Sequence, residues 1–212
     1  MTENPESIVF VIDDDASVRE SLKNLLESVG VHAELFESTQ AFHDFRRSDT
    51  PSCLVLDVRL PGLTGLEFQN ELLKLGIPLP IIFITGHGDI PMSVRAMKLG
   101  AVEFLTKPFR DQDLLEAVSL ALEKDRCRRR DEKARASLRA LFESLTAREK
   151  EVIGFLSAGL SNKQIGAAMG ISDATAKVHR ANVMRKMEAR SLAELVRMAD
   201  LLGVNQQCLA PH

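Results

Sequence analysis

"IVFVIDDDAS", residues 8–17, runs five apolar residues straight into three adjacent aspartates. The apolar run reads as a strand, and the acids stand at its carboxyl end. Like charges crowded together cost energy, so Asp13, Asp14 and Asp15 form either a solvated turn or the surround of a cation. For Asp15 the turn suffices, because it stands at the N-cap position of "ASVRESLKNLL". For Asp13 and Asp14 it does not, because a third carboxylate, Asp57, ends another apolar run, "CLVLD" (53–57).

Outward from that stretch, short apolar runs alternate with amphipathic segments. Strands are expected at 7–13, 32–36, 53–57, 81–85 and 102–105, and helices at 16–28, 39–47, 65–75, 90–99 and from 111 onward. Ser38 and Thr64 are helix starts, and Gly30, Gly76 and Gly100 are helix stops. Five βα units of this spacing predict an α/β fold with a doubly wound, five-stranded parallel sheet. In such sheets the functional crevice lies beyond the carboxyl ends of the strands. Asp13, Asp57, Thr85 and Lys107 all fall there, on one rim.

Three carboxylates from two strands suit Mg²⁺, which takes oxygen ligands and commonly one or two carboxylates plus a phosphate. Lys107 supplies a second cation, and its bond to Pro108 is a candidate cis peptide. A competing reading takes "IDDDAS" as the nucleophile loop of a haloacid-dehalogenase-type phosphatase, with Asp13 as nucleophile. That chemistry needs a later acidic pair, and "GDIPMS" (88–93) offers Asp89 with no aspartate four residues on.

Composition fits a cytosolic globular protein: 45% hydrophobic, 27% charged, with no apolar run of membrane-spanning length. The start lacks the sections of a signal peptide. Cys53, Cys127 and Cys208 are far apart and read as reduced thiols, neither a disulfide framework nor a zinc site. Residues 1–125 hold 11 Lys and Arg against 21 Asp and Glu, net −10, whereas residues 126–212 hold 16 against 9, net +7. Only the second half is suited to meet a polyanion.

From residue 111 the helical pattern does not stop, and neither glycine nor proline interrupts it through "RALFESL". Its charged middle reads as a solvated spacer or, alternatively, as a coiled-coil stalk. The last part of the chain turns to short helices. Thr146-x-x-Glu149, Ser161-x-x-Gln164 and Ser191-x-x-Glu194 are capping-box patterns, and Gly159, Gly170 and Gly203 are stops. With a longer helix at 173–187, they predict an all-α, four-helix domain whose second and third helices are joined by "GIS" at helix-turn-helix spacing. The expected organisation is a first domain at 5–123, a helical linker at 124–143 and a helix-turn-helix domain at 144–205.

"IDDD", "LVLDVRLPGLTG", "FITGHGD" and "EFLTKPF" resemble, in order and spacing, the motifs of a two-component receiver domain with a flavodoxin-like fold. The resemblance implies that Asp57 accepts a phosphoryl group and that Asp13, Asp14, Asp57 and the backbone carbonyl of Arg59 hold Mg²⁺. It also implies that Lys107 pairs with the phosphoryl group, that Thr85 hydrogen-bonds it, and that Phe104 is the switch aromatic. Arg59 and His87 lie two residues beyond Asp57 and Thr85, where the family tunes the lifetime of the phosphorylated state; for His87 a solvated loop histidine is the equal alternative.

"LTAREKEVIGFLSAGLSNKQIGAAMGISDATAKVHRANVMRKM" (145–187) resembles a LuxR-type helix-turn-helix, and "KVHRANVM" points to the FixJ branch of the FixJ/NarL response regulators. On the 173–187 helix, Ala176, His179, Val183 and Met187 share one stripe. Ala174, Lys177, Val178, Ala181 and Arg185 lie opposite, a small and basic front for a major groove. Arg180 and Asn182 flank it toward phosphates, and Thr175 joins the DNA-facing set. Ala181 stands where some relatives carry a base-contacting lysine, which weakens direct readout there. Met169, Met184, Met187 and Met198 read as core. The resemblance implies a transcription regulator that is no enzyme beyond assisting its own aspartyl phosphorylation and dephosphorylation. Its expected partners are a sensor histidine kinase, promoter DNA, RNA polymerase and, once phosphorylated, a second copy of the chain, with no membrane.

Overall fold

The structure, a computed structural model, describes residues 6–86 and 90–204. The expectations placed on His87, Asp89 and Cys208 lie outside the described residues. The chain divides into two compact units after Arg129.

In the first unit, strands β1 (Ile8–Ile12), β2 (His32–Phe36), β3 (Ser52–Asp57), β4 (Ile81–Thr85) and β5 (Glu103–Thr106) alternate with helices. These are α1 (Ala16–Ser28), α2 (Thr39–Asp44), α3 (Gly65–Lys74), α4 (Ile90–Lys98) and α5 (Asp111–Glu143). All strand pairs are parallel, in the order β2-β1-β3-β4-β5. Helices cover both faces, so β1, β3 and β4 are buried throughout and read in sequence as unbroken apolar runs. Alternate residues divide between two cores, as the strand period of two requires. Phe10, Ile12, Leu54, Leu56 and Phe83 pack with Phe42, Leu66, Phe68, Leu72 and Ala96 of α2, α3 and α4. Val9, Val11, Cys53, Val55, Ile82 and Ile84 pack with Leu22 and Leu26 of α1 and with Leu114, Val118 and Ala121 of α5.

Several boundaries differ from the sequence expectation by one residue, and one differs by three. The last strand starts one residue later than 102, and α2 ends at Asp44 rather than 47. Phe45 leaves the helix in an extended conformation, and its ring lies 5.3 Å from Phe36 and 6.1 Å from Phe10. Arg47 sits over the Phe42 ring at 5.1 Å. Aromatic packing and the cation–π contact therefore outweigh another helical turn here.

The second unit contains the end of α5 with α6 (Ala147–Ser157), α7 (Asn162–Met169), α8 (Asp173–Lys186) and α9 (Leu192–Leu201). Val152, Ile153, Leu156, Ile165, Val183, Met187 and Leu195 form its core, with Leu138, Leu141 and Phe142 of α5 packed against it. Met169, Met184 and Met198 also pack there, as their helical spacing predicts. The boxes at Thr146 and Ser161 are complete, with both reciprocal bonds present. The third is corrected: Ser191 caps Glu194 N, but the Glu194 carboxylate accepts from Arg190 N at 2.8 Å. Gly170 ends α7 at φ 66°, a left-handed position that glycine takes without strain.

Candidate functional site

Ile12 pairs with Leu56 across β1 and β3, so the residues that follow, Asp13 and Asp57, emerge side by side at the carboxyl end of the sheet. Asp13 is 1% exposed and Asp57 7%. Asp14 lies on the exposed side, and carboxylate oxygens of all three fall within 4.8 Å of one another. Such a set of hard oxygen donors fits a small divalent cation like Mg²⁺.

The loop after β5 brings in the opposing charge. Lys107 Nζ donates to Asp13 Oδ2 at 2.6 Å and to Asp57 Oδ2 at 2.7 Å. Burial raises the Asp13 pKa above the ordinary carboxylate value, against the lowering pull of Lys107 and the Asp15 N–H. Burial also works against the Lys107 ammonium, but its bonds to the two aspartates prevail and hold its pKa above the usual lysine value. The Lys107–Pro108 bond is cis, as expected.

Local bonds fix Asp13 and Asp57. Asp13 Oδ1 accepts from Asp15 N at 2.9 Å, and Asp57 Oδ1 from Arg59 N at 2.8 Å. Arg19, not evident from the sequence as a site residue, donates from Nη1 to the Asp13 carbonyl oxygen at 2.6 Å. Its signal was its place one turn into α1, directly behind the acids. Asp15 caps α1 through Ser17 N at 2.8 Å, as expected.

Thr85 is fully buried at the end of β4, and its carbonyl oxygen accepts from Lys107 N at 2.7 Å. Phe104 is half-buried on β5, its ring 6.2 Å from that of Phe83. The structure therefore gathers Asp13, Asp14, Asp57 and Lys107 into one cluster, with Thr85 and Phe104 on the two strands next to it.

In the second unit, Ser172 caps α8, and Ala176, Val183 and Met187 face inward. Ala174, Thr175, Lys177, Val178, Ala181 and Arg185 are exposed, whereas His179, Arg180 and Asn182 are half-buried on the flanks. The Thr175 hydroxyl lies 2.8 Å from Ser172 Oγ, in the cap. Arg180 Nη1 donates to Asn162 Oδ1 at 3.3 Å, which ties it to the start of α7. Lys186 donates to the buried Glu149 at 2.7 Å and so joins the end of α8 to the first turn of α6.

Residues 9–119 match the response regulator receiver domain, and residues 143–199 match the luxR family of bacterial regulatory proteins. This chain belongs to the FixJ/NarL family of response regulators. It is 54% identical over 200 residues to nodulation protein W of Bradyrhizobium diazoefficiens, covering 94% of this chain and 88% of that one. It is 48% identical over 201 residues to the transcriptional regulatory protein FixJ of Azorhizobium caulinodans, covering 94% and 95%. Among solved structures, it resembles the response regulator StyR at 49% identity and a TM-score of 0.84, covering 92% of this chain and 98% of that one. As a response regulator of this family it joins a receiver to a LuxR-type DNA-binding domain. The receiver implies a sensor-kinase partner, and the second domain implies DNA. Among the described residues, no helix is long and apolar enough to cross a membrane.

Proposed function

We propose that Asp57 is the phosphoacceptor and that its phosphorylation controls binding of the second unit to promoter DNA. The observation that carries this reading is the convergence of Asp13, Asp57 and Lys107 within hydrogen-bond distance at the carboxyl end of the sheet. A carboxylate is a weak nucleophile toward phosphorus unless fixed cations receive the incoming charge. Asp13, Asp14, Asp57 and the Arg59 carbonyl would hold Mg²⁺, which when bound supplies Lewis-acid neutralisation of the phosphoryl oxygens.

An Asp57 carboxylate oxygen attacks phosphorus, the bond to the kinase's histidine nitrogen breaks, and that nitrogen keeps the electron pair. Lys107 then exchanges its bond to Asp57 for one to a phosphoryl oxygen. Asp13 stays beneath it, fixed by Asp15 N and Arg19. Thr85 hydrogen-bonds the phosphoryl group, and Phe104 turns into the space that Thr85 leaves. The apolar residues Ile90, Val94 and Met97 of α4, 80%, 44% and 44% exposed, then contribute to a homodimer face. In the second unit α8 enters the major groove with Lys177, Val178, Ala181 and Arg185 foremost. Thr175, Arg180 and Asn182 lie along its edges, and RNA polymerase is the downstream partner.

Acetyl phosphate labelling with Mg²⁺, read by mass spectrometry, tests the site. Asp57→Asn should carry no acyl phosphate, and labelling at Asp13 instead would restore the phosphatase reading.

A further inference from the structure

The buried stripe of α5 runs Leu114, Ala117, Val118, Ala121, Leu122, and at the next position on that stripe stands a carboxylate, Asp125. It is 0% exposed. An unpaired charge there would be strongly destabilising, so its partners define what the position is for. Asp125 Oδ1 accepts from Arg128 Nε at 3.0 Å and Nη2 at 2.6 Å. Oδ2 accepts from Arg129 Nε at 2.6 Å and from the backbone N–H of Ser52 at 2.9 Å. Arg129 also reaches the exposed Asp49 carboxylate through Nη1.

Ser52 is the first residue of β3, the strand that ends in Asp57. The carboxylate thus bonds α5 to the start of the acceptor strand, at the end of β3 opposite Asp57. Beyond Leu122 the apolar anchorage of α5 to this unit ends, and residues 130–137 are exposed on every side. A solvated helical segment of that length is marginal by itself. Setting register where apolar packing would allow sliding is the best-attested use of a buried polar or ionic group.

We propose that Asp125, with Arg128, Arg129 and Asp49, is a latch that keeps α5 helical and in register as it leaves the receiver. Through it the phosphorylation state of the receiver reaches the DNA-binding unit. The chain has to pass through this segment, so any strain or ordering that α5 passes on crosses it. Opening the latch uncouples the two events and leaves phosphoryl chemistry at the other end of β3 intact. The coupling part of the inference rests on the phosphorylation reading above; the latch itself does not.

The test uses the full chain with Asp125→Asn, which keeps an acceptor for Ser52 N but removes the charge, and with Arg129→Gln as the milder variant. Hydrogen exchange at the amides of residues 123–133 should quicken by about tenfold or more in Asp125→Asn. Acetyl phosphate labelling should stay within about twofold of wild type, because no latch residue touches the acceptor site. The gain in DNA affinity on beryllofluoride addition should shrink toward none. Unchanged exchange overturns the latch, and an unchanged affinity gain overturns the coupling. If Asp125→Asn unfolds, Arg129→Gln decides by the same readouts. A wild-type chain that shows no affinity gain overturns the proposed function instead, and the exchange measurement still decides the latch.

Discussion

A Cβ placed on Gly65 would lie 2.5 Å from the carbonyl oxygen of Asp57. The first residue of α3 therefore rests directly on the backbone of Asp57, held there by its own N–H to the Val58 carbonyl at 2.9 Å. The Cβ would also meet Val58 Cα at 3.1 Å and Phe83 Cε1 at 3.2 Å, and neither the backbone nor that buried ring is a flexible side-chain end that could move aside.

Gly65→Ala should consequently push α3 away from the end of β3. The expected loss is about 1–3 kcal/mol of stability by overpacking, together with a large fall in acetyl phosphate labelling of Asp57. Urea denaturation and mass spectrometry measure the two separately. Normal labelling in this variant would show that the contact has no part in setting the acceptor.

Lys107→Met leaves two neighbouring carboxylates, one fully buried, without their cation. Without metal the variant should lose about 3 kcal/mol, the scale for removing one partner of a buried pair. Mg²⁺ should raise its stability more than it raises that of wild type, because the acids then have no ammonium to offset their mutual repulsion. Urea midpoints with EDTA and with Mg²⁺ check this. No metal stabilisation of either protein would mean that the acids do not bind the ion, and equal stabilisation that Lys107 does not bear on it.

Burial works against the charged form of Glu149, but Lys186 and the Thr146 cap prevail and hold its pKa below the ordinary glutamate range. A depressed carboxylate contributes stability above its unfolded pKa, about 4.3, and loses it as pH falls through the folded value. Glu149→Gln should destabilise the helical unit by about 1–3 kcal/mol at neutral pH and flatten its stability between that unfolded value and more acidic conditions. Denaturation followed at residues of α6 and α8 by exchange measures it. A variant that keeps the wild-type pH slope would place the titration elsewhere.

Lys177→Ala should weaken binding to the cognate site by about 1–3 kcal/mol and relax its sequence preference, as the loss of a base contact does. Arg180→Ala should lower affinity for all sequences alike and reduce the salt slope by about one. The tie of Arg180 to Asn162 predicts a small accompanying loss of helix packing. Salt-titrated binding to specific and scrambled duplexes separates the two patterns.

Beryllofluoride should convert the chain to a dimer in sedimentation, and half-sites should lie about one helical turn, roughly 10 base pairs, apart. Val94→Asp should block the dimer without affecting labelling of Asp57. A chain that remains monomeric on and off DNA would leave α4 out of the mechanism.

The sheet and the acidic rim were legible in the sequence because both follow from period and position. An apolar run that stops at an aspartate fixes the strand and places its terminal carboxylate at once. The inward and outward faces of α8 were legible for the same reason, since 3.6-residue spacing alone separates Val183 from Lys177. What escaped depends on partners distant in sequence. Asp125 stands within the charged run "EKDRCRRR" (123–130) and reads as solvated, and only the fold brings Ser52 against it. Arg19 looks like any surface arginine of a helix until the turn before it closes. At Ser191 the pattern was right but the bond partner was not, because Glu194 had a second N–H, that of Arg190, within reach.

The strand order divides the receiver into a stiff middle and a compliant margin. Asp57 rises from β3, the central strand, and Asp13 from its neighbour β1, each lodged among residues closed off from water on all sides. Phe104 stands on β5, the outermost strand, where no residue is wholly buried, and Lys107 follows that strand. Local opening free energy falls from core to periphery in folded domains. On the proposed reading the nucleophile therefore belongs to the part of the molecule least able to deform, Phe104 and Lys107 belong to the part that deforms most cheaply, and the buried Thr85 of β4 stands between them. On that reading a phosphoryl group is received at a fixed address and announced at the border, with the Lys107 bond to Asp57 exchanged and the one from Arg59 N kept.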